Sequence, residues 1–236
     1  RRVTRCLYTC CMKLEPGART IEKRAGRQAV AVAVVIFTVR EGRLSVLLIH
    51  RAAEPFAGRW ALPGGLLLPG ETLDQAAARK LTGETGVSDV YLEQLYTFDL
   101  PPGCGGPRAV VAYFALVDEA QVRLESRTTW QPAWYPVSGV PALAFDNNAI
   151  VEYALRRLQA KLSYSNVVYA LLPERFTLTQ LQRVYEAILE RPLDKRNFRK
   201  RIQSLELVEP TQQVERSGAH RPARLYRFAR REPLTF

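Results

Sequence analysis

Runs of apolar residues alternate with polar segments along the chain, and the pattern changes near residue 162. Before that point, long apolar runs rich in β-branched residues predict buried strands. They cover residues 29–39, 44–51, 91–100, 108–117 and the short stretch 133–137. Two stretches with helical spacing, 71–86 and 145–162, lie among them. Strands interspersed with helices in this order predict a sheet covered by helices, of the α+β or α/β class.

After residue 162 the pattern is that of short helices followed by a hairpin. Thr177 precedes an apolar stripe at helical spacing, and Gln180 completes a capping box with it. Asp194 is placed to cap a second helix after the break at residues 190–192. Two extended runs within 205–210 and 217–228, joined by a polar turn, then follow. Helix, tight turn, helix and hairpin together predict a winged helix-turn-helix.

The second of these helices has two distinct faces. Phe198, Ile202 and Leu205 fall on one side at 100° per residue, which predicts the core face. Cations and amides that are able to contact bases and phosphates cluster on the other side. We therefore predict a DNA-binding surface made of Thr177, Thr179, Gln180, Lys195, Arg196, Asn197, Arg199, Lys200, Arg201, Gln203, Arg221 and Arg224. A solvated basic face and a protein-contact module remain alternative readings of the same pattern.

The charge distribution agrees with two functions in one chain. The net charge of +11 divides into +6 over residues 1–27, −3 over 28–150 and +8 over 151–236. The basic last third is the part expected to meet a polyanion. No apolar run reaches the ~18 residues of a membrane span, so we expect no membrane association.

The first residues are expected to form a basic, disordered arm over 1–27. Met12 is the expected start, which would make residues 1–11 non-native, and the alternative is a metal-binding cluster of Cys6, Cys10 and Cys11. Cys104 stands alone, so disulfides are not expected and a reducing cytoplasm is the expected compartment. The arm precedes a domain at 28–160 and a second domain at 161–236.

A fixed-spacing motif lies in the first domain. Gly65, Glu71, Arg79, Leu81, Glu84, Gly86 and Val87 are spaced as in the pattern G-x(5)-E-x(7)-R-E-u-x-E-E-x-G-u, where u is aliphatic. This stretch resembles the Nudix box, and its flanks at 51–65 and 134–158 resemble Nudix proteins of the ADP-ribose class. The resemblance covers residues 28–160 and implies an α/β/α sandwich with a mixed sheet, hence an α+β fold. In the family, the carboxylates of the box hold Mg²⁺ on a diphosphate, and the metal activates water.

The box departs from the family pattern at two carboxylate positions. Lys80 and Gly83 stand where the family has acids, so that only Glu71 and Glu84 are left to hold a metal ion. We therefore predict a remnant box with no catalytic residues and no required cofactor. The alternative is that Lys80 and Gly83 are surface variation and that Glu54 or Glu125 acts in catalysis.

The binding part of the pocket retains the residue types that suit a diphosphate. We predict a ligand site made of Arg51, Arg59, Trp60, Gly64, Gly65, Glu71 and Glu84. Trp60 is alternatively a core residue, and Arg59 a solvent-facing one. Asn147 replaces the His of the Phe-Asp-His sequence that is usual in similar proteins.

Taken together, residues 28–236 resemble the Nudix-related transcriptional regulators of NAD metabolism, the NrtR family. The resemblance implies a bacterial repressor of NAD biosynthesis or salvage genes that binds a palindromic DNA operator as a homodimer. It also implies release by ADP-ribose, or by a related nucleotide diphosphate, sensed in an impaired Nudix domain. Two alternatives are an active Mg²⁺-dependent ADP-ribose pyrophosphatase with an appended winged helix, and a sugar-responsive regulator of the same architecture.

Overall fold

A computed structural model describes residues 30–88, 90–100, 107, 109–124, 130–215 and 222–236. Several sequence predictions lie outside these residues, namely those for the amino-terminal arm, Met12, Cys104, Glu125 and Arg221. Within the part that is described, no helix is long and apolar enough to cross a lipid bilayer.

The first half of the chain folds around a mixed β-sheet. Its strands are β1 (Val30–Arg40), β2 (Arg43–Arg51), β3 (Trp60–Ala61), β4 (Gly64–Leu66), β5 (Tyr91–Asp99), β6 (Ala109–Leu116) and β7 (Trp130–Pro136). Central strand β1 is antiparallel to β2 and parallel to β6, and β5 pairs with the far side of β6. Strand β7 pairs with β2, while the short β3 and β4 pair with β2 and β1. The β1–β2 hairpin turns at Glu41 and Gly42, with φ of 49° and 73°.

Alternating side chains of these strands fill a hydrophobic layer on each face of the sheet. Helix α1 (Leu73–Thr85) covers one face, where Leu81 packs with Val34 and Tyr113. Helix α2 (Asn147–Lys161) covers the other through Ile150, Val151, Ala154 and Leu158. Helix, sheet and helix confirm the predicted α+β sandwich.

The carboxyl-terminal part is a winged helix, as predicted. It comprises β8 (Phe176–Thr177), α3 (Leu178–Leu189), α4 (Lys195–Ser204), β9 (Val208–Glu215) and β10 (Ala223–Phe228), with sheet order β8-β10-β9. The capping box is present: Thr177 Oγ1 accepts from Gln180 N at 3.2 Å, and Gln180 Oε1 accepts from Thr177 N at 2.7 Å. Asp194 Oδ1 accepts from Asn197 N at 2.8 Å and caps α4. These side-chain bonds satisfy backbone donors that a helix start leaves unpaired.

One hydrophobic core runs through both parts of the chain. Tyr169, in a 3₁₀ helix between α2 and β8, contacts Tyr91 of β5 and Phe228 of β10, each with ring centroids 6.4 Å apart. Gln159 Nε2 of α2 donates to Ile188 O of α3 at 2.9 Å. The two parts are therefore packed against each other rather than joined by a bare linker.

Asn166 ties the chain end to this junction. The residue is 2% exposed, and its Nδ2 donates to Arg230 O at 3.2 Å and to Glu232 O at 3.0 Å. Its Oδ1 accepts from Leu234 N at 2.8 Å. This buried amide, together with the Arg231 guanidinium that donates to Tyr169 O and Leu172 O, therefore holds the last described segment against the start of the winged helix.

Candidate functional site

The Gly-rich turn before α1 brings backbone very close to its neighbours. A Cβ at Gly64 would lie 2.6 Å from Val32 O of β1, which a real side chain does not tolerate. Gly65 has φ +152°, and a Cβ there would lie 3.2 Å from both Cε and Nζ of Lys80. Glycine is therefore required at position 64 for space, and at position 65 for both space and backbone conformation.

A cavity of about 280 Å³ opens beside this turn. It is lined by Ile49, Arg51, Ala53, Ala61, Leu62, Gly64, Lys80 and Glu84. Three of the predicted ligand residues, Arg51, Gly64 and Glu84, are thus brought together there, with Gly65 below the end of Lys80. Lys80 had been predicted only as a remnant of the box, yet its side chain forms part of the cavity wall.

Arg51 is the cation at the loop side of the cavity. Its Nε donates to Pro55 O at 3.0 Å, and its guanidinium carbon lies 5.0 Å from the centre of the Phe145 ring. These contacts hold the guanidinium in place while leaving other N–H groups available to a ligand. Arg51 therefore suits a diphosphate better than the other predicted arginine.

Arg59 and Trp60, which were predicted as ligand residues, do not line this cavity. Arg59 is exposed. Trp60 is half-buried and packs edge-on against His50 and Tyr135, each with ring centroids 5.0 Å apart. In the structure Trp60 packs against the core and Arg59 faces solvent, as in the alternative interpretations of these two residues.

Glu71 is engaged by the protein itself. Its Oε1 accepts from Arg79 Nε at 2.6 Å, and its Oε2 accepts from Arg79 Nη2 at 2.8 Å and from Leu68 N at 2.9 Å. The Arg79 hydrogen bonds, followed by the Leu68 amide, lower the pKa of Glu71 from 4.5 to about 2. Glu71 therefore fixes the loop before α1, and this predicted ligand residue is not part of the cavity wall.

The three box positions at the end of α1 lie in different environments. Lys80 is half-buried, Glu84 is 5% exposed, and Gly83 is exposed with open space where a side chain would be. Burial lowers the pKa of Lys80, and the nearby Arg79 charge lowers it further, whereas Glu84 and Glu71 oppose the shift. The site that the family fills with three acids is here a cation beside one buried acid.

Asn147 has a structural contact. Its side chain is buried, and Oδ1 accepts from Leu62 N at 2.9 Å, which joins the start of α2 to the Gly-rich turn. Glu54, the alternative catalytic acid, is exposed in the loop before the Gly-rich turn and does not line the cavity.

The second predicted site, for DNA, forms a basic groove. Part of its wall is the outer face of α4, where Lys195, Arg196, Arg199, Lys200 and Gln203 lie together beside Asp194. The remaining wall joins α4 to the start of α3 and to β10 around a space of about 830 Å³, lined by Thr177, Leu178, Thr179, Gln180, Arg183, Lys195, Arg199, Glu215, Pro222, Ala223, Arg224 and Tyr226. Arg199 borders both spaces, and its Nε is buried with no hydrogen-bond partner among the described residues.

Three predicted DNA residues face other partners. Thr177 is 5% exposed, because its hydroxyl caps α3. Arg201 Nη2 donates to Ser163 O at 3.4 Å, and Arg201 and Asn197 line a cavity of about 310 Å³ between α2 and α4. Thr177 therefore borders the groove with its hydroxyl engaged as the cap of α3, whereas Arg201 and Asn197 line the cavity between α2 and α4.

Arg183 is a groove residue that the sequence prediction missed. It is exposed and lines the groove together with Thr179. The spacing of four between these two residues on α3 was the available signal, since residues four apart share a helix face.

Two family models match the chain, and together they define its class. Residues 27–157 match the Nudix domain, and residues 168–228 match the NrtR DNA-binding winged helix domain. The fold and its two sites therefore define a Nudix domain joined to a DNA-binding winged helix.

Two relatives of known structure or function align with most of the chain, and a third aligns with its Nudix part alone. The ADPR-responsive transcriptional repressor NtrR of Acinetobacter baylyi is 37% identical over 205 residues, which cover 85% of this chain and 82% of the relative. Shewanella oneidensis NrtR, in a crystal structure with a 27mer DNA, is 35% identical with a TM-score of 0.75, covering 84% of this chain and 93% of that chain. The Nudix domain of the same Shewanella protein, crystallised with ADP-ribose, is 34% identical with a TM-score of 0.52, covering 60% of this chain and 95% of that one. The chain belongs to the NrtR family.

Proposed function

We propose that the protein is a transcriptional repressor that binds operator DNA through its winged helix and releases it when ADP-ribose occupies the Nudix cavity. One observation carries the proposal: the Nudix domain, which contains the cavity, and the winged helix, which contains the basic helix α4, share one hydrophobic core. The Shewanella oneidensis relative binds DNA, and its Nudix domain binds ADP-ribose, which supports the same two ligands here.

The DNA partner is a palindromic operator bound by a homodimer. A two-fold dimer presents two copies of α4 to half-sites separated by about one helical turn, ~34 Å. The regulated genes are those of NAD biosynthesis or salvage, and the compartment is the cytoplasm. The sensing domain spans residues 28–160 and the reading domain 161–236.

The ligand acts by favouring one spacing of the two winged helices in the dimer over another. A ligand shifts such an equilibrium only by its difference in affinity for the two states. The junction around Tyr169 and Gln159 gives a physical route, because α2 packs on the sensing sheet and bonds to α3. A displacement at the cavity is then transmitted through packed side chains rather than through a loose connection.

The Nudix domain binds its ligand without cleaving it. Hydrolysis in this fold needs a divalent cation that polarises phosphorus and activates water. Here Glu71 is held by Arg79 and Leu68, position 83 has no carboxylate, and the Lys80 ammonium borders the cavity. The donor set that would hold such a cation is therefore depleted.

The experiment is an operator-binding titration with the full chain. A palindromic duplex obtained by selection from a random pool is bound, and fluorescence anisotropy follows its release as ADP-ribose is added. ADP-ribose should release the selected duplex, whereas ribose and ribose 5-phosphate should not. Release by a sugar and not by ADP-ribose would instead establish the sugar-responsive alternative.

A turnover assay addresses the hydrolase alternative. Incubation with Mg²⁺ and ADP-ribose should give far less than about one turnover per second, a typical enzyme rate. Turnover above that value would establish a pyrophosphatase with an appended winged helix. Failure to bind any selected duplex at low salt would indicate that the winged helix is a protein-contact module.

A further inference from the structure

The residues of the Nudix box do not fit the divalent cation that the fold implies. Both Glu71 oxygens accept hydrogen bonds from Arg79 at 2.6 and 2.8 Å, and Gly83 supplies no ligand. Glu84 is the carboxylate that remains in the cavity wall. Over the described ranges, no cluster of three or more His, Cys, Asp or Glu side chains is arranged to hold a metal. Mg²⁺ relies on carboxylates together with phosphate oxygens, and this site offers it too few.

A protein cation lies in the same place. Lys80 extends from α1 across the Gly-rich turn, so that its Cε and Nζ lie where a side chain on Gly65 would touch them at 3.2 Å. The missing side chain at Gly65 therefore leaves room for the Lys80 ammonium. Arg51 faces the same cavity from the loop side.

The charges of the cavity wall match a diphosphate diester. Arg51 and Lys80 carry two positive charges and Glu84 one negative charge, so the empty wall is net positive. Burial and the nearby Arg79 charge penalise the charged form of Lys80, and the Glu84 and Glu71 charges offset part of this penalty. An incoming phosphate oxygen would relieve this penalty, because charge-assisted hydrogen bonds are strongest where water is excluded.

We propose that the Lys80 ammonium takes the place of the divalent cation and binds the effector's diphosphate directly, so that recognition of a nucleoside diphosphate ester is independent of metal. The inference rests on the proposed function insofar as that ligand is the effector. It extends the function by assigning a recognition role to the substitution that removes the metal site. Binding and non-cleavage then have one cause, because a fixed ammonium neutralises the diphosphate without delivering an activated water.

The first test needs no variant. Calorimetric titration of the full chain with ADP-ribose, in excess EDTA and then in excess Mg²⁺, should give the same Kd. Binding that requires Mg²⁺ would overturn the inference while leaving the proposed function standing. Absence of binding under both conditions, with DNA still bound, would overturn the proposed effector and this inference together.

The second test removes the charge and keeps the apolar stem. Lys80→Met should weaken ADP-ribose binding in EDTA by about 10- to 100-fold, the expected effect of losing a hydrogen bond to a charged group. Arg156→Met removes the same charge from the exposed surface of α2, where Arg156 pairs with Glu152, and should leave binding unchanged. Equal binding by Lys80→Met and the wild type would overturn the inference.

A third variant restores the family residue. Lys80→Glu should bind ADP-ribose weakly in EDTA and recover affinity when Mg²⁺ is added, since a second carboxylate then joins Glu84. Operator binding by each variant confirms that it is folded. Affinity in EDTA that matches the wild type would contradict a role for the Lys80 charge.

Discussion

Replacement of Asn166 by alanine should loosen the attachment of the last described segment to the start of the second domain. Its side chain makes three hydrogen bonds to the backbone of the last described segment, at 3.2, 3.0 and 2.8 Å. Each such bond contributes about 1 kcal/mol net, so Asn166→Ala should lower the free energy of unfolding by about 3 kcal/mol. For a chain of this size that corresponds to a fall in Tm of about 6–12 °C.

Urea unfolding followed by far-UV circular dichroism measures this loss. Gln212→Ala is the matched control, because it removes an amide from an exposed position on β9 and should change stability by less than about 0.5 kcal/mol. Asn166→Asp adds a second comparison, since it keeps the shape but replaces the donor to Arg230 O and Glu232 O by an acceptor. A loss below about 1 kcal/mol in Asn166→Ala would refute the reasoning that this amide anchors the segment.

Three further predictions concern the two sites. Arg199→Ala should weaken binding of the selected duplex by about 1–3 kcal/mol if it reads a base, and should weaken all duplexes alike with a reduced salt slope if it contacts phosphate; anisotropy titrations that match the wild type would remove it from the interface. Arg51→Met should blunt release of DNA by ADP-ribose in the same assay, whereas exposed Arg59→Ala should not, and the reverse result would restore the original placement of Arg59. The pKa of Glu71 is lowered to about 2 from 4.5, so its ion pair with Arg79 stabilises the fold above pH 4.5 and is lost as pH falls towards 2. Glu71→Gln should therefore be less stable than the wild type at neutral pH and converge with it in acid, as measured by urea midpoints; a gap independent of pH would contradict this.

Sequence patterns predicted best what depends on residues close together in the chain. The caps at Thr177 and Asp194 and the buried stripe of α3 follow from spacing alone, because capping and helix faces are local. Strand β8 was not predicted, since two residues carry no periodicity and their pairing with β10 forms across the chain. The bond of Arg201, a predicted DNA residue, to Ser163 O was also not predicted, because it comes from tertiary packing.

The Nudix cavity shows the limit of motif spacing most clearly. The spacing located the box correctly. It did not distinguish Glu71, whose carboxylate pairs with the Arg79 guanidinium, from Glu84, which lines the cavity. Nor did it indicate that Lys80 reaches back over Gly65, because that contact spans the turn and the first half of α1. The role of a residue at a consensus position depends on where its side chain points, and motif spacing does not give that direction.

The aromatic contact of Tyr169 with both Tyr91 and Phe228 has a consequence for engineering hybrid sensors. A chimera joined directly after α2 would pair a foreign sensing surface with the native Tyr169, and the mismatch would fall in the packed core rather than in a tolerant linker. The exchangeable unit therefore includes the 3₁₀ helix Val167–Leu171 together with the β5 surface that receives it. If the 3₁₀ helix and the β5 surface are transplanted together, the winged helix should respond to the ligand of the new sensing domain.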